Sequence, residues 1–460
     1  MNRTDALVSF CRTKLPRLLI SLIAPLLILL LRPLGMNLSQ AATVASLVMV
    51  VTWWSTGWVN KILASCVLLA CFVLFSGAAP KQVFTFLLSE NFPMIALTYL
   101  FSEGITQSGL IEKVLLPRLG KFATSPMKIL LSMIAVLALT IYLVPQSLAR
   151  LIIVATIFDN YMRGTDLDAS ARRVLMCGCF VFYALVNMVC VNADIILNTS
   201  TLAFSGLQMG DLEWAKNMAL PTVVYGALMV LLFSLVFRRE IKAAGRVRLT
   251  REPEKTAFTK RDWTASAIIA LTILLWASKG LHHINATLIT LLATAAMFAT
   301  GMLRPRDFRA IDVTTLVFLT AAFSIGGVMK SCGAAELIFS RLKTIFPAQF
   351  SLLYILTLAL IGKALHLVLG SNTTTLSLLI PGLMLICTDV MSPTAIMYVA
   401  YLSVVVQSLL PFHSVALMIG TAHDYFDTKT VFRFGLPMLF LVFFALSCVY
   451  LPWWKIIGLL

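Results

Sequence analysis

The sequence predicts an all-α polytopic membrane protein with about 11 transmembrane helices and two re-entrant hairpins in two inverted repeats. Of the 460 residues, 60% are hydrophobic and only 12% are charged. Apolar segments long enough to cross a bilayer recur along the whole chain, and two further apolar segments are interrupted halfway by polar residues. Because lipid cannot satisfy backbone polar groups, such segments are expected to be helical.

The predicted elements follow from the apolar runs in chain order. The run LLISLIAPLLILLL after a basic start has the charge order of a signal peptide, but no small-residue cleavage site follows it, so we predict an uncleaved first span. The predicted spans lie near 18–32, 40–58, 61–77, 91–109, 171–195, 214–237, 263–278, 285–302, 312–331, 394–419 and 431–451. The two interrupted pairs, near 125–162 and 349–388, are the predicted hairpins.

The charge distribution predicts the orientation. A formal charge of +16 is typical of a membrane protein that retains Lys and Arg in its cytoplasmic loops, and we expect no nucleic-acid partner. Most of the 36 Lys and Arg residues fall on one side if the N-terminus is cytoplasmic. We therefore predict a multi-pass protein of the inner (plasma) membrane with its C-terminus outside. The nine Cys residues are interpreted as small core hydrophobes.

An internal repeat organises the chain. The stretch FSEGITQSGLIEKVLLPRL (101–119) resembles FSIGGVMKSCGAAELIFSRL (323–342), and a hairpin follows each, the first broken at VPQSLAR and the second at LGSNTTT. Five spans in each half place the second copy upside down, which is typical of secondary transporters. The predicted domains are an N-terminal segment with the first transmembrane helix (1–39), a first repeat with a cytoplasmic-side hairpin (40–238), a basic cytoplasmic linker (239–262) and a second repeat with an outer-side hairpin (263–460).

The polar stretch LGSNTTTLSLLIPG (369–382) is the second hairpin's predicted tip. Its hydroxyl, amide and freed backbone groups could coordinate Na⁺ while the N-terminus of the following half-helix points at an anion. The alternative is a helix N-cap whose Ser and Thr side chains bond back to the backbone.

This stretch resembles the second Ser-Asn-Thr hairpin of the divalent anion:sodium symporter family, which belongs to the ion transporter superfamily with the arsenite and Na⁺/H⁺ permeases. The resemblance covers roughly residues 40–460, and its most specific motif is Ser371-Asn372-Thr373. It implies an elevator-type transporter, usually a homodimer, whose hairpin tips hold a di- or tricarboxylate and help to form two Na⁺ sites. The substrate-binding residues predicted on this basis are Gln146, Ser147, Arg150, Asn372, Thr373, Thr374, His413 and Ser414.

The sequence departs from the family pattern at the first hairpin and at both expected helix breaks. Pro145-Gln146-Ser147 stands where Ser-Asn-Thr is expected, and Arg150 brings a charge to the expected position of a Na⁺, which it could replace, or it could clamp an anion. The Thr-Pro-Pro-Asn motif is replaced by Ser414-Val415-Ala416-Leu417 and is also lacking in VNADIILNTSTLAFSG (191–206). We expect at most one ordinary Na⁺ site, beside Ser371 and Asn372.

Ionisable residues in apolar segments are further candidates because an intramembrane charge is costly to keep. Lys363 could contact an anion or snorkel to the outer surface. His366 and His413 could couple transport to protons, or could be hydrogen-bonded core residues. Asp194 and Glu103 are coupling-ion candidates, which could carry a proton or serve in a structural ion pair.

Together these patterns predict a secondary active transporter of small organic anions, most of all di- or tricarboxylates. It would work by Na⁺ or H⁺ symport or by anion exchange, without a cofactor. The alternatives are an inorganic oxyanion permease or a Na⁺/H⁺ antiporter of the same superfamily, although an antiporter would want paired Asp residues and only Asp194 is found. An intramembrane enzyme is not expected, because the sequence has no HExxH motif and no paired carboxylates.

Overall fold

A computed structural model of the protein describes residues 15–250, 258–277, 282, 284–342 and 349–460. Over these residues the regular structure is helical, with one isolated bridge between Thr165 and Leu249. The all-α prediction is therefore confirmed, whereas the number of spans and the re-entry of the hairpins stay predictions. Residues 1–14 of the predicted N-terminal segment and 251–257 of the predicted linker lie outside the described residues.

The α-helices follow one another with short connections. In chain order they are α1 (Leu15–Leu31), α2 (Leu38–Thr56), α3 (Lys61–Phe75), α4 (Pro80–Val83), α5 (Asn91–Ser108), α6 (Leu110–Phe122), α7 (Pro126–Leu139), α8 (Ser147–Arg163), α9 (Ala169–Val186), α10 (Ile195–Ser205), α11 (Asp211–Val236), α12 (Arg238–Ala244), α13 (Lys260–Ala277), α14 (Ala286–Ala299), α15 (Val313–Ser331), α16 (Ala334–Leu342), α17 (Leu352–Leu369), α18 (Asn372–Cys387), α19 (Pro393–Val405), α20 (Val415–Ala422), α21 (Thr428–Ala445) and α22 (Leu451–Ile456). Within the described part, four helical segments are long and apolar enough to cross a membrane: Ala169–Val186, Asp211–Val236, Val313–Ser331 and Thr428–Ile456.

The chain forms two compact units, and each unit takes segments from both predicted repeats. The first unit contains the chain up to Phe92 together with Ser200–Gln208 and Val313–Val404. The second unit contains Pro93–Thr199, Met209–Asp312 and Val405–Leu460. The predicted domain boundaries, which follow the repeats, stay predictions.

In the first unit, α2 packs against α3, α15 against α3 and α18, and α17 against α18. The start of α2 is set by Asn37 and Gln40, each of which accepts the other's backbone N–H, at 2.8 and 3.0 Å, in a capping box. The turn from α17 into α18 is made at Gly370, whose φ of 61° suits a residue without a side chain. This turn carries the second predicted tip.

In the second unit, α9 is buried along most of its length and packs against α7, α8 and α20. Two tryptophans fix the position of α11: Trp214 Nε1 donates to Met188 O at 2.9 Å, and Trp454 Nε1 donates to Asn217 O at 3.0 Å. A π-helical segment, Leu446–Tyr450, carries α21 on into α22.

Two predicted spans are broken helices. Within the span predicted near 171–195, α9 ends at Val186 and a 3₁₀ turn, Val191–Asp194, precedes α10. Within the span predicted near 394–419, α19 ends at Val405 and a 3₁₀ turn, Pro411–His413, precedes α20. Both breaks form without the Thr-Pro-Pro-Asn motif.

The described part of the predicted linker is held against the second unit. Val247 N–H donates to Thr124 O at 3.1 Å, and Thr250 N–H donates to Gly164 O at 2.9 Å. These bonds fix the segment beside the loops that precede α7 and follow α8.

Candidate functional site

The first predicted tip joins α7 to α8 in the second unit. Gln146 caps α8, because its Oε1 accepts the Ala149 N–H, while its own backbone N–H donates to Ser102 Oγ at 3.1 Å. Ser147 accepts a hydrogen bond of 2.8 Å from the Tyr183 hydroxyl. Both predicted substrate ligands are buried and hold the tip against α5 and α9.

Arg150, in the first turn of α8, is fully buried and is surrounded by protein oxygens. Its Nη1 donates to Val144 O at 3.1 Å and to Ile141 O at 3.5 Å. Its Nη2 donates to Asn187 Oδ1 at 2.6 Å and to Ala193 O. The guanidinium therefore joins the unwound tip of the hairpin to the first helix break.

The carboxylate of Asp194 is the next group in this hydrogen-bond network, after Asn187. Asn187, which accepts from Arg150, donates through Nδ2 to Asp194 Oδ2 at 3.2 Å. Asp194 Oδ1 accepts the Leu197 N–H at 3.2 Å and so caps α10. Asp194 is thus linked to Arg150 through Asn187, which is the arrangement that the structural alternative predicts.

The first break depends on an asparagine that no motif singles out. Asn198 Nδ2 donates to Asn187 O and Cys190 O, both at 2.9 Å, and to Val191 O at 3.4 Å. These carbonyls are freed where α9 unwinds, and a buried carbonyl needs a donor. One amide group therefore stabilises the open backbone of the break.

The second predicted tip lies in the first unit. Ser371 caps α18: its Oγ accepts from Thr374 N at 3.4 Å and from Thr374 Oγ1 at 3.0 Å. Thr375 Oγ1 donates to Ser371 O at 2.8 Å and lies 3.0 Å from His366 Nδ1. Much of the polar cluster is thus bonded back to its own backbone.

Asn372 and Thr373 are the predicted ligands at this tip that are not bonded in this way. Both are partly exposed, and the buried Oδ1 atom of Asn372 has no hydrogen-bond partner among the described residues. One amide oxygen is too few to hold a Na⁺, and neighbouring backbone oxygens would have to complete such a site.

Lys363 is buried, with 2% of its surface exposed, so it does not snorkel to the surface. Its Nζ donates to Ser403 O at 3.3 Å, in the last turn of α19 before the second break. The approach of the two helices is close at the preceding residue, Gly362, where an added Cβ would lie 2.9 Å from Ser403 Cβ. In each half, therefore, a buried cationic side chain donates to a carbonyl oxygen beside a broken helix.

The second break carries His413 and Ser414 in the second unit. His413 is fully buried, and its Nδ1 accepts the Leu410 N–H at 3.2 Å. Ser414 is the residue from which α20 begins. The break also contains Gln407, which is 3% exposed and which the sequence analysis does not single out.

Glu103 lies on α5, partly exposed, where its Oε1 accepts from Gln107 Nε2 at 2.7 Å. This contact joins two residues one helical turn apart, so it is local to α5. The structure does not bring Glu103 into the network of Arg150, Asn187 and Asp194 through any of these hydrogen bonds.

The structure thus brings four predicted residues together in the second unit: Gln146, Ser147, Arg150 and Asp194. His413 and Ser414 belong to the same unit, where α20 packs against α9. Ser371, Asn372, Thr373 and Thr374 form the tip of the first unit. Asn187, Asn198 and Gln407 were missed, and the signal that could have found them is a carboxamide inside an apolar run.

The sequence matches the family described as the sodium:sulfate symporter transmembrane region over residues 12–460. It is 24% identical, over 258 residues, to Dicarboxylate transporter 1, chloroplastic, from Spinacia oleracea, a region that makes up 52% of this chain and 45% of that protein. The chain therefore spans about half the length of that relative. The crystal structure of the YdaH transporter from Alcanivorax borkumensis is similar with a TM-score of 0.53 at 15% identity, over 82% of this chain and 88% of that chain. This likeness concerns the fold alone.

Proposed function

The chain belongs to the sodium:sulfate symporter family, and we propose that it exchanges small organic dianions, dicarboxylates above all, across the membrane without a coupling Na⁺. The family is one of multi-pass anion transporters, so the expectation of a membrane transporter for a small anion is confirmed at that level. The substrate class and the exchange mode are the proposal. The same proposal includes the predicted orientation, the inner-membrane location, the homodimer and the elevator movement.

The contacts of Arg150 carry the proposal. Unwound backbone carbonyls at a broken helix are the groups with which secondary transporters coordinate Na⁺. Here two carbonyls of the hairpin tip, one carbonyl of the first helix break and one amide oxygen accept hydrogen bonds from the Arg150 guanidinium. A permanent cation thus uses the oxygens that a Na⁺ in the first half would need.

Lys363 supports the same conclusion for the second half. Its Nζ donates to Ser403 O, in the last turn of α19 beside the second break. Charges fixed in the protein cannot leave with the substrate. Because an intramembrane charge is costly to move uncompensated, the empty carrier would resist crossing, whereas a carrier loaded with a dianion would cross readily. Such a carrier exchanges one anion for another.

The preference for dicarboxylates has two supports. The relative from Spinacia oleracea is named as a dicarboxylate transporter, although it is only 24% identical. At the second tip, the N-terminus of α18 presents backbone N–H groups and the side chains of Asn372 and Thr373, which suit a carboxylate.

The test is uptake of radiolabelled succinate into proteoliposomes that contain the purified protein. We expect uptake only when unlabelled succinate is present inside, at equal rates with external Na⁺ or with choline. A proton gradient imposed without internal succinate should give no uptake, and external sulfate should compete weakly. Accumulation driven by an inward Na⁺ or proton gradient into vesicles without internal anion would contradict exchange. Uptake of sulfate in preference to succinate would contradict the substrate class.

A further inference from the structure

Gln407 is a buried polar residue to which none of the contacts above assigns a role. It lies two residues after the end of α19, in the break that precedes His413, and only 3% of its surface is exposed. Neither its Nε2 nor its Oε1 has a hydrogen-bond partner among the described residues. A buried amide that lacks partners for both its donor and its acceptor is costly, so a group that supplies both is expected to stabilise it.

The backbone next to Gln407 makes close contacts on both sides. Gly435 on α21 lies directly against Ser408 O, and an added Cβ there would lie 2.7 Å from Leu409 Cα. On the other side, the Leu410 N–H donates to His413 Nδ1. The break thus places a buried carboxamide, without a hydrogen-bond partner among the described residues, inside the second unit, which also contains the Arg150 network.

The hydrogen-bonding capacity of Gln407 defines the ligand that fits it. A carboxylate has only acceptors, so it can bond the Nε2 hydrogens but leaves Oε1 without a donor. A hydroxyl group next to a carboxylate supplies the missing donor. We propose that Gln407 recognises the hydroxyl and carboxylate of a 2-hydroxy dicarboxylate and so makes the protein selective for hydroxylated over plain dicarboxylates; this rests on the proposed function.

The experiment compares malate and succinate as external competitors of radiolabelled succinate exchange. The wild-type protein should bind malate about 10-fold more tightly than succinate, because malate satisfies the Oε1 atom that succinate leaves unpaired. The variant Gln407→Met, which keeps the volume but removes both polar atoms, should abolish this preference, because malate loses the bonds to both amide atoms whereas succinate loses only the bond from Nε2. The matched control is Gln208→Met, since Gln208 is exposed and far along the chain from the break.

A second variant separates the donor from the acceptor of the amide. Gln407→Glu keeps an acceptor for the hydroxyl but replaces the donor by a like charge, so it should weaken both dicarboxylates by about 10-fold or more. If folded Gln407→Met protein keeps the wild-type ratio of malate to succinate affinity, or if Gln407→Glu binds both anions as wild type does, the inference is overturned while exchange stands. If the wild-type protein exchanges neither anion, the proposed function itself fails.

Discussion

Arg150 illustrates how a side chain can be both structural and functional. A buried guanidinium is costly unless polar neighbours match its charge and most of its N–H groups. Four oxygens receive its Nη hydrogens, its Nε has no partner among the described residues, and Asp194 is linked to it through Asn187. The same bonds that keep the tip against the first break also keep a positive charge in the place proposed for a coupling ion.

The substitution Arg150→Ser tests whether this charge stands in for a cation. It removes the guanidinium and leaves the four oxygens, with a new hydroxyl, around a space in which Na⁺ could bind. We expect exchange to be lost in choline and to be restored in part by Na⁺. Because a ligand that binds only the folded state stabilises it, the melting temperature of the variant should rise with Na⁺ concentration.

The matched control for this substitution is Arg150→Met, which fills the space with an apolar side chain and should gain nothing from Na⁺. Arg173→Ser, at an exposed position on α9, checks for effects of lost charge alone. Full exchange by Arg150→Ser in choline would count against the role given to Arg150.

The sequence was informative about single residues only where a charge or a known motif drew attention to them. Arg150, Lys363 and Asp194 could be selected because a charge in an apolar run is rare. Gln407 and Asn198 carry no charge, and their importance depends on which backbone groups lie within hydrogen-bonding distance. Those groups are fixed by tertiary packing, which no local pattern in the sequence reveals.

The packing of α17 against α19 fixes the position of Lys363. Gly362 lies against Ser403, with no space for a side chain between the two helices. Gly362→Ala should push α17 away from α19, lengthen the bond from Lys363 Nζ to Ser403 O and destabilise the protein by about 1–3 kcal/mol, as overpacking of a close contact does. Differential scanning fluorimetry in detergent would measure the loss as a lower melting temperature.

Gly327→Ala is the matched control, because Gly327 lies within α15 and an added Cβ would have nothing within 4 Å. It should be neutral or stabilising by about 0.5–1 kcal/mol, owing to the higher helix propensity of alanine. The double variant Gly362→Ala with Ser403→Gly should recover most of the lost stability. A melting temperature of Gly362→Ala equal to that of wild type would show that the helices separate at little cost.

The contact between α6 and α13 is an ion pair that should depend on pH. Lys113 Nζ lies 2.8 Å from Asp262 Oδ2, and this hydrogen bond, with the Thr259 backbone N–H, lowers the pKa of Asp262 to about 2. Because the pKa is depressed in the folded state, the stabilisation is complete above the ordinary carboxyl pKa near 4 and is lost as the pH falls towards 2. Asp262→Asn should therefore lower the melting temperature at pH 7 by more than at pH 3.

Lys113→Gln serves as the companion to this test, since it removes the partner and leaves the carboxylate. It should shift the acid-induced loss of stability to a higher pH. An equal difference between Asp262→Asn and wild type at pH 7 and pH 3 would rule out a contribution from this pair.

The helices were predictable from apolar periodicity and length, whereas the two breaks were expected only from the family resemblance, whose motif is lacking at both places. The spans predicted near 171–195 and 394–419 are mostly apolar, so hydropathy favours a continuous helix although each contains polar residues such as Asn187 and Gln407. The first break is instead stabilised by Asn198, which satisfies the carbonyls that α9 releases, and the second by the close contact of residues 408–409 with Gly435. Both breaks are stabilised by contacts between different elements, and a local sequence pattern does not show such contacts.

At the scale of the whole molecule, the proposed exchange makes a prediction about the electrical behaviour of transport. In Na⁺ symport, the number of cations that move with a dianion decides whether net charge crosses the membrane. In exchange, one dianion leaves as another enters, and the fixed cations make the same movement in both directions, so net charge per cycle is zero. We therefore expect the rate of succinate exchange in proteoliposomes to be the same with and without an inside-negative potential set by K⁺ and valinomycin.

The Arg150→Ser variant gives a second test of this expectation, because Na⁺ is proposed to take the place of the guanidinium there. A mobile cation can be left behind on one side of the membrane, whereas a covalently attached one cannot. The variant should therefore carry out net, Na⁺-driven uptake without internal succinate, and that uptake should respond to the imposed potential if the number of Na⁺ ions differs from two. A wild-type rate that changes several-fold with potential, at equal succinate on both sides, would mean that a charge other than the two dianions crosses in each cycle. Fixed cations would then be insufficient to explain the coupling.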